Sequence, residues 1–164
     1  LDGKQNQAKR FQTLLDIGVQ EGDSILDLGC GLGHMVEHLE KIGLNVHYTG
    51  IDTSKRSIQQ AYQFKEATYI HGTIFDIQDR YDWGLASGVF NVEFPKSEML
   101  ETINELLSKT NKGVAFNLLS NTSNNSLTYE NYIPEEIVSH LKGDVSIVEN
   151  YGVKNDFTIY IKKN

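Results

Sequence analysis

Asp27, Gly29, Gly31 and Gly33 occupy every second position between a strand-like run, Ser24-Ile25-Leu26-Asp27-Leu28, and a helix-like run that opens at His34. Glycine permits a sharp turn at such a junction and lets a ligand approach the backbone where a Cβ would collide. The helix that follows directs free N–H groups at the same place, which suits a carboxylate or another electron-rich group. Asp52 closes the next strand, 19 residues after Gly33. An acid in that place can accept both hydroxyls of an adenosine ribose. The dinucleotide fingerprint G-x-G-x-x-G, started at Gly29, would need a glycine at position 34, where the chain has His34. That mismatch disfavours a pyrophosphate-binding turn.

The elements that must position these residues alternate between strand-like and helix-like patterns. A first helix over about Gln5 to Ile17 places Ala8, Phe11, Leu14 and Leu15 on one face. After the strand at Ser24–Leu28, a helix carries Met35, Val36, Leu39 and Ile42 inward and ends at Gly43. Val46 to Ile51 reads as the second strand, and Ser54 caps a helix with Ile58, Ala61 and Tyr62 on one face. Thr68 to His71 and Trp83 to Ser87 read as the next strands. Ser97 is expected to cap an amphipathic helix bearing Met99, Leu100, Ile103, Leu106 and Leu107, followed by a strand from Val114 to Leu119. Pro134 suits a first helical position, in a helix that ends near Lys142-Gly143. Val145 to Val148 and Phe157 to Ile161 close the chain, the last alternating as an antiparallel or edge strand would. Right-handed crossovers lay the first five strands in parallel. The expected fold is α/β: a three-layer, seven-stranded sheet, mostly parallel, with an antiparallel C-terminal edge hairpin. Its 164 residues suit one domain over 1–164.

Ile25-Leu26-Asp27-Leu28-Gly29-Cys30-Gly31-Leu32-Gly33 resembles the first motif of the class I S-adenosylmethionine-dependent methyltransferases. The resemblance covers nearly the whole chain, because that Rossmann-like family has seven strands and the same closing pair. It implies S-adenosyl-L-methionine as cofactor. By that resemblance Gly29, Gly31 and Gly33, with Cys30 inside the same loop, line the methionine part, and Asp27 helps to hold its ammonium. Asp52 would bind the ribose hydroxyls, with Thr53 beside the adenine. Gly72, Thr73, Ile74 and Phe75 would supply the adenine edge. Many members carry an acid at the position of Thr73, and Asp76 is the nearby carboxylate. Ser87 and Gly88 correspond to the segment near the transferable methyl.

Methyl transfer from a sulfonium is an in-line displacement of an activated leaving group, so it requires alignment more than a base. No catalytic residue is assigned on this ground. Absences narrow the acceptor. Cys30 is the only cysteine, so no second thiol can act as a covalent nucleophile, and no thiolate metal cluster can form. The Asn/Asp-Pro-Pro-aromatic signature of base-amino methyltransferases is missing, Glu93 stands alone where paired glutamates would be needed, and Ser87 replaces a metal-binding carboxylate. A small-molecule acceptor is what these absences leave. Loops at the carboxyl ends of the strands offer His34, Asn91, Tyr129 and Tyr132 as substrate-binding candidates. A net charge of −7 gives no general attraction to nucleic acid or anionic lipid. With no long apolar run and no signal-like segment, a cytoplasmic location is expected. The alternative reading is a non-catalytic cofactor-binding module serving as a partner subunit or sensor, suggested by the little chain left to cap a substrate.

Overall fold

Ile25 and Leu26 point to opposite sides of one strand and both are fully buried, so the sheet that holds them is covered on both faces. The computed structural model describes residues 2–91, 94–120 and 132–164. Its elements are α1 (Asp2–Leu15), β1 (Ser24–Leu28), α2 (His34–Ile42), β2 (His47–Asp52), α3 (Lys55–Ala61), β3 (Thr68–His71), a 3-10 turn (Ile74–Asp76), β4 (Tyr81–Ala86), α4 (Lys96–Ser108), β5 (Thr110–Leu119), α5 (Pro134–Ser139), β6 (Asp144–Val148) and β7 (Asp156–Lys162). The sheet order is β3-β2-β1-β4-β5-β7-β6. Strands β1 to β5 pair in parallel, and β7 pairs antiparallel with both β5 and β6.

Period-two alternation divides the core in two. On one face Ile25, Tyr48, Trp83 and Leu85 pack against Phe11 and Leu14 of α1, Met35 and Leu39 of α2 and Ile58 of α3. On the other, Leu26, Ile51 and Phe116 pack against Met99, Ile103 and Leu106 of α4 and Ile137 of α5. Three layers result, as the strand and helix order requires. Among the described residues no helix is long and apolar enough to cross a membrane.

Several local expectations change: Ile42 and Tyr62 are exposed rather than packed inward, and β4 runs from Tyr81 to Ala86 rather than from Trp83 to Ser87. The closing strand is antiparallel as expected but is not the edge. Residues from Asp156 to Ile161 are all buried, Thr158 fully, because β6 covers the outer side of β7. Pro95, not Ser97, stands at the N-terminus of α4, where its carbonyl accepts from Met99 N at 2.9 Å. Strand β5 begins at Thr110 rather than Val114, since Gly113 (φ +151°) lets the backbone pass Ile161, whose carbonyl a Cβ would overlap. Helix α5 stops at Ser139, short of Lys142.

The strand order also locates a crevice. From β1 the chain moves outward to β2, and from β4 it moves the other way to β5. Leu28 of β1 pairs with Ile51 of β2 and Ala86 of β4, so these strands end side by side. The loops that follow β1 and β4 diverge and leave space between them.

Candidate functional site

Each glycine of the loop after β1 answers a different constraint. Gly29 has φ +69°, and a Cβ there would lie 2.5 Å from Val89 Cγ2. At Gly33 (φ +82°), which starts α2, a Cβ would come within 3.0 Å of Phe64 and of the Tyr69 hydroxyl. Gly33 therefore serves packing and does not line the cavities described below. Gly31 (φ +54°) has nothing within 4 Å of its Cβ direction; it faces open space. Cys30 fits because Gly50 of β2 leaves room for it, a Cβ on Gly50 falling 2.8 Å from its Sγ. Burial, then the carboxylates of Asp27 and Asp52, push the Cys30 thiol far up and keep it protonated.

Sequence reasoning expects free amides at this turn. The structure engages those of Gly29, Cys30, Gly31 and Gly33. Gly29 N and Cys30 N donate to Ile51 O at 2.8 and 3.1 Å, and Gly33 N donates to Cys30 O at 3.1 Å. Gly31 N donates to Asp52 Oδ2 at 2.9 Å. A loop with these donors already bonded is no cradle for a pyrophosphate, which agrees with the missing glycine at position 34.

Two carboxylates bracket the loop. Asp27 is 3% exposed, and Tyr48 donates its hydroxyl to Oδ2 at 2.5 Å. Burial pushes the Asp27 carboxyl up to about 7; the Tyr48 bond opposes this and the charge of Asp52 adds to it. Asp52 stands half-buried at the end of β2 and ties two segments together. Its Oδ2 takes the Gly31 amide, and its Oδ1 takes Ser54 N at 2.8 Å. Each oxygen retains a lone pair for a donor on a ligand.

The crevice divides into two cavities. The larger, about 680 Å³, is lined by Leu28, Gly29, Ile51, Asp52, Thr53, Gly72, Thr73, Ile74, Phe75, Ser87, Gly88 and Val89, with Phe94, Glu98, Glu101 and Thr102 opposite. The smaller, about 340 Å³, is lined by Asp27, Gly29, Cys30, Gly31, Leu32, His34 and Ser87, with Gln7 and Phe11 of α1. Gly29 and Ser87 belong to both walls, so one elongated ligand can cross between the cavities at these two residues. Asp52 lines the larger cavity and Asp27 the smaller.

Several candidates lie elsewhere. Asn91 is buried and accepts Leu119 N at 3.1 Å. Tyr132 is buried and donates its hydroxyl to Phe90 O at 2.7 Å. Both link the end of β4 to the end of β5, and neither lines either of the two cavities. Tyr129 lies outside the described residues. Asp76 does not line the larger cavity; its Oδ2 accepts Thr73 N at 2.7 Å and Thr73 Oγ1 at 3.2 Å. Sequence reasoning missed Gln7, Phe11, Glu98, Glu101 and Thr102. Their helices show a core stripe, and nothing in a stripe tells which flanking residue overhangs a cavity. No group of three or more metal-ligating side chains occurs among the described residues.

Residues 19–156 match a family model described as a methyltransferase domain. The Mycobacterium tuberculosis (strain ATCC 25618 / H37Rv) protein Rv1506c, provisionally named a methyltransferase, is 27% identical over 157 residues, covering 85% of this chain and 93% of its own length. Among solved structures, the magnesium protoporphyrin IX methyltransferase ChlM of Synechocystis PCC 6803 with bound SAH superposes with a TM-score of 0.74 at 15% identity. That match covers 98% of this chain and 83% of the other. The plantazolicin methyltransferase BpumL, in complex with a pentazolic desmethylPZN analog and SAH, gives a TM-score of 0.67 at 19% identity, covering 97% and 84%. At these identities the two structures establish the shared fold.

Proposed function

This chain belongs to the methyltransferase domain family as a class I S-adenosylmethionine-dependent enzyme, and on that premise we propose that it methylates a small molecule. The observation that carries the binding mode is the two-part crevice with Asp52 in one part, Asp27 in the other and Gly29 and Ser87 in both walls. In this reading Asp52 accepts the ribose hydroxyls, and Thr53 and Gly72 to Phe75 enclose the adenine. Asp27 takes the ammonium of the methionine end, which passes over Gly31. The sulfonium then falls at the junction by Gly29, Ser87 and Gly88.

When bound, S-adenosylmethionine supplies a methyl group already activated by its positive sulfur. The residues of the chain then have to align and to exclude water. Val89 and Phe94 give an apolar wall beside the junction, and Phe11 of α1 closes the smaller cavity. Among the described residues lining the larger cavity there is no Lys, Arg or His, whereas Glu98 and Glu101 belong to its wall. Such a wall favours an acceptor bearing N–H or O–H donors over one bearing phosphates, in keeping with the net charge of −7. The reading treats residues 1–164 as one domain working in a reducing compartment such as the cytoplasm, where a lone buried Cys30 stays reduced. Labelled methyl from S-adenosylmethionine should appear on a member of a panel of small amines and hydroxy compounds. Tight cofactor binding with turnover only of a protein or RNA acceptor would overturn the small-molecule assignment.

Gly31→Ala tests the cradle separately from the fold. Alanine in the left-handed region costs about 1 kcal/mol, and the open space around Gly31 adds no clash. The variant should therefore melt close to the parent while binding S-adenosylhomocysteine about tenfold more weakly, since its methyl enters the ligand's volume. Parental affinity in calorimetry would exclude Gly31 from the binding surface.

Asp27 makes binding depend on pH. Its carboxyl lies near 7 when the site holds no cation, and a ligand ammonium favours the ionised form. Binding should therefore release up to about one proton at pH 6, and affinity should rise with pH through 7 and then level off. Calorimetry at pH 6 in two buffers of different ionisation enthalpy reads this directly; identical apparent enthalpies would refute it. The folding sign is opposite. A folded value raised above the ordinary 3.8 penalises the ionised state, so this group's contribution to stability declines as pH climbs from about 4 to about 7.

A further inference from the structure

The amides of Gly29, Cys30, Gly31 and Gly33 are bonded inside the protein, so a carboxylate at the amino-acid end of the ligand can draw on none of these four and gains from a side-chain donor beside them. Ser87 lines both cavities, and its hydroxyl is oriented by Asn117, a residue no sequence motif marks. Asn117 is fully buried in β5, one position past the last β4–β5 pair, Ala86 with Phe116. The ladder stops there because Gly88 turns away at φ +69°, and the Asn117 side chain stands in for the next rung. Its Oδ1 accepts Gly88 N at 2.7 Å. Only an oxygen can face that N–H, so the amide orientation is fixed, and Nδ2 donates to Ser87 Oγ at 3.4 Å. With its oxygen engaged as an acceptor, Ser87 keeps its own proton to give, and the open direction is the cavity.

We infer that Asn117 is a positioning residue that sets Ser87 as a hydrogen-bond donor to the carboxylate at the amino-acid end of the cofactor. This rests on reading the crevice as an S-adenosylmethionine site. The test uses two probes in calorimetry with the full chain: S-adenosylhomocysteine, and 5′-methylthioadenosine, which lacks the amino-acid end. Ser87→Ala should bind S-adenosylhomocysteine about tenfold more weakly, the loss of one hydrogen bond to a charged group, and bind methylthioadenosine as the parent does. Ser87→Thr keeps the hydroxyl and should keep the affinity. In Asn117→Asp the carboxylate still accepts from Gly88 but also accepts from Ser87 and turns that proton away from the cavity. Its selective loss should equal that of Ser87→Ala, and the double variant should be no weaker than either single one. Unchanged S-adenosylhomocysteine affinity in Ser87→Ala, or equal losses for both probes, would overturn the inference while leaving the cofactor site standing. A parent chain that binds neither probe would overturn both. Should Asn117→Asp fail to fold, the two Ser87 variants decide the matter.

Discussion

Replacing Arg10 by methionine should destabilise the fold by about 2–4 kcal/mol at pH 7, somewhat below the loss for a fully enclosed ion pair. Arg10 Nε donates to Asp156 Oδ2 at 2.7 Å, with the arginine side chain 26% exposed and the aspartate side chain 0%. Asp156 also accepts from the Tyr151 hydroxyl, whose oxygen in turn accepts from Thr158 Oγ1 at 3.1 Å. Methionine fills similar volume, so the variant mainly leaves a carboxylate in an apolar site with one partner gone. Burial already holds the Asp156 carboxyl above its ordinary range, against the opposing pulls of Tyr151 and Arg10. Loss of the guanidinium raises it further. The ionised form is then penalised in the folded state, so the gap from the parent should be full near neutrality and shrink as pH falls toward 4. Urea denaturation at pH 7 and pH 4 measures it, and coincident midpoints at pH 7 would show that the pair contributes nothing. The effect bears on function because this pair anchors α1, together with Lys9 Nζ donating to Gly152 O at 3.1 Å and the Tyr160 hydroxyl donating to Thr13 O. Helix α1 brings Gln7 and Phe11 to the smaller cavity. The folded fraction of the variant should accordingly bind S-adenosylhomocysteine less tightly than the parent.

Asp52→Ala should weaken S-adenosylhomocysteine binding by about 1–3 kcal/mol through loss of charge-assisted bonds to the ribose. Methylthioadenosine should weaken too, since it keeps the ribose, which separates this residue from Ser87. The structure adds a second route to the same loss. Asp52 holds the amides of Gly31 and Ser54, so alanine frees the glycine loop from the end of β2 as well as removing the ribose acceptor. Asp52→Asn distinguishes the routes, because its carbonyl oxygen still accepts one of the two amides while its charge is gone. An intermediate loss for asparagine assigns part of the effect to the loop. The core should survive both changes, as Asp52 stands at a strand end and is only half-buried. A dissociation constant for the alanine variant equal to that of the parent would remove Asp52 from the binding site.

The chain's local order carries much of this protein in plain view. Short apolar runs in β1 and β5, the glycines at 29, 31 and 33, Asp52 at the end of β2 and the short link between β6 and β7 each depend on neighbours in sequence. Together they fix a mostly parallel sheet with an antiparallel end and locate its ligand edge. What tertiary structure alone decided depends on partners far apart along the chain. Asn91 turned inward to the Leu119 amide and Tyr132 to the Phe90 carbonyl, so two polar residues on the correct loops serve the frame rather than the crevice. Asn117 acquired its role from Gly88, 29 positions earlier. Glu98, Glu101, Gln7 and Phe11 reached the cavity walls only because α4 and α1 dock beside the point where β1 and β4 part. Periodicity reports that one face of a helix is buried; it holds no information about which residue at the rim of that face overhangs an opening made by other strands. That is settled when distant segments pack and each buried polar group finds the donor or acceptor it needs.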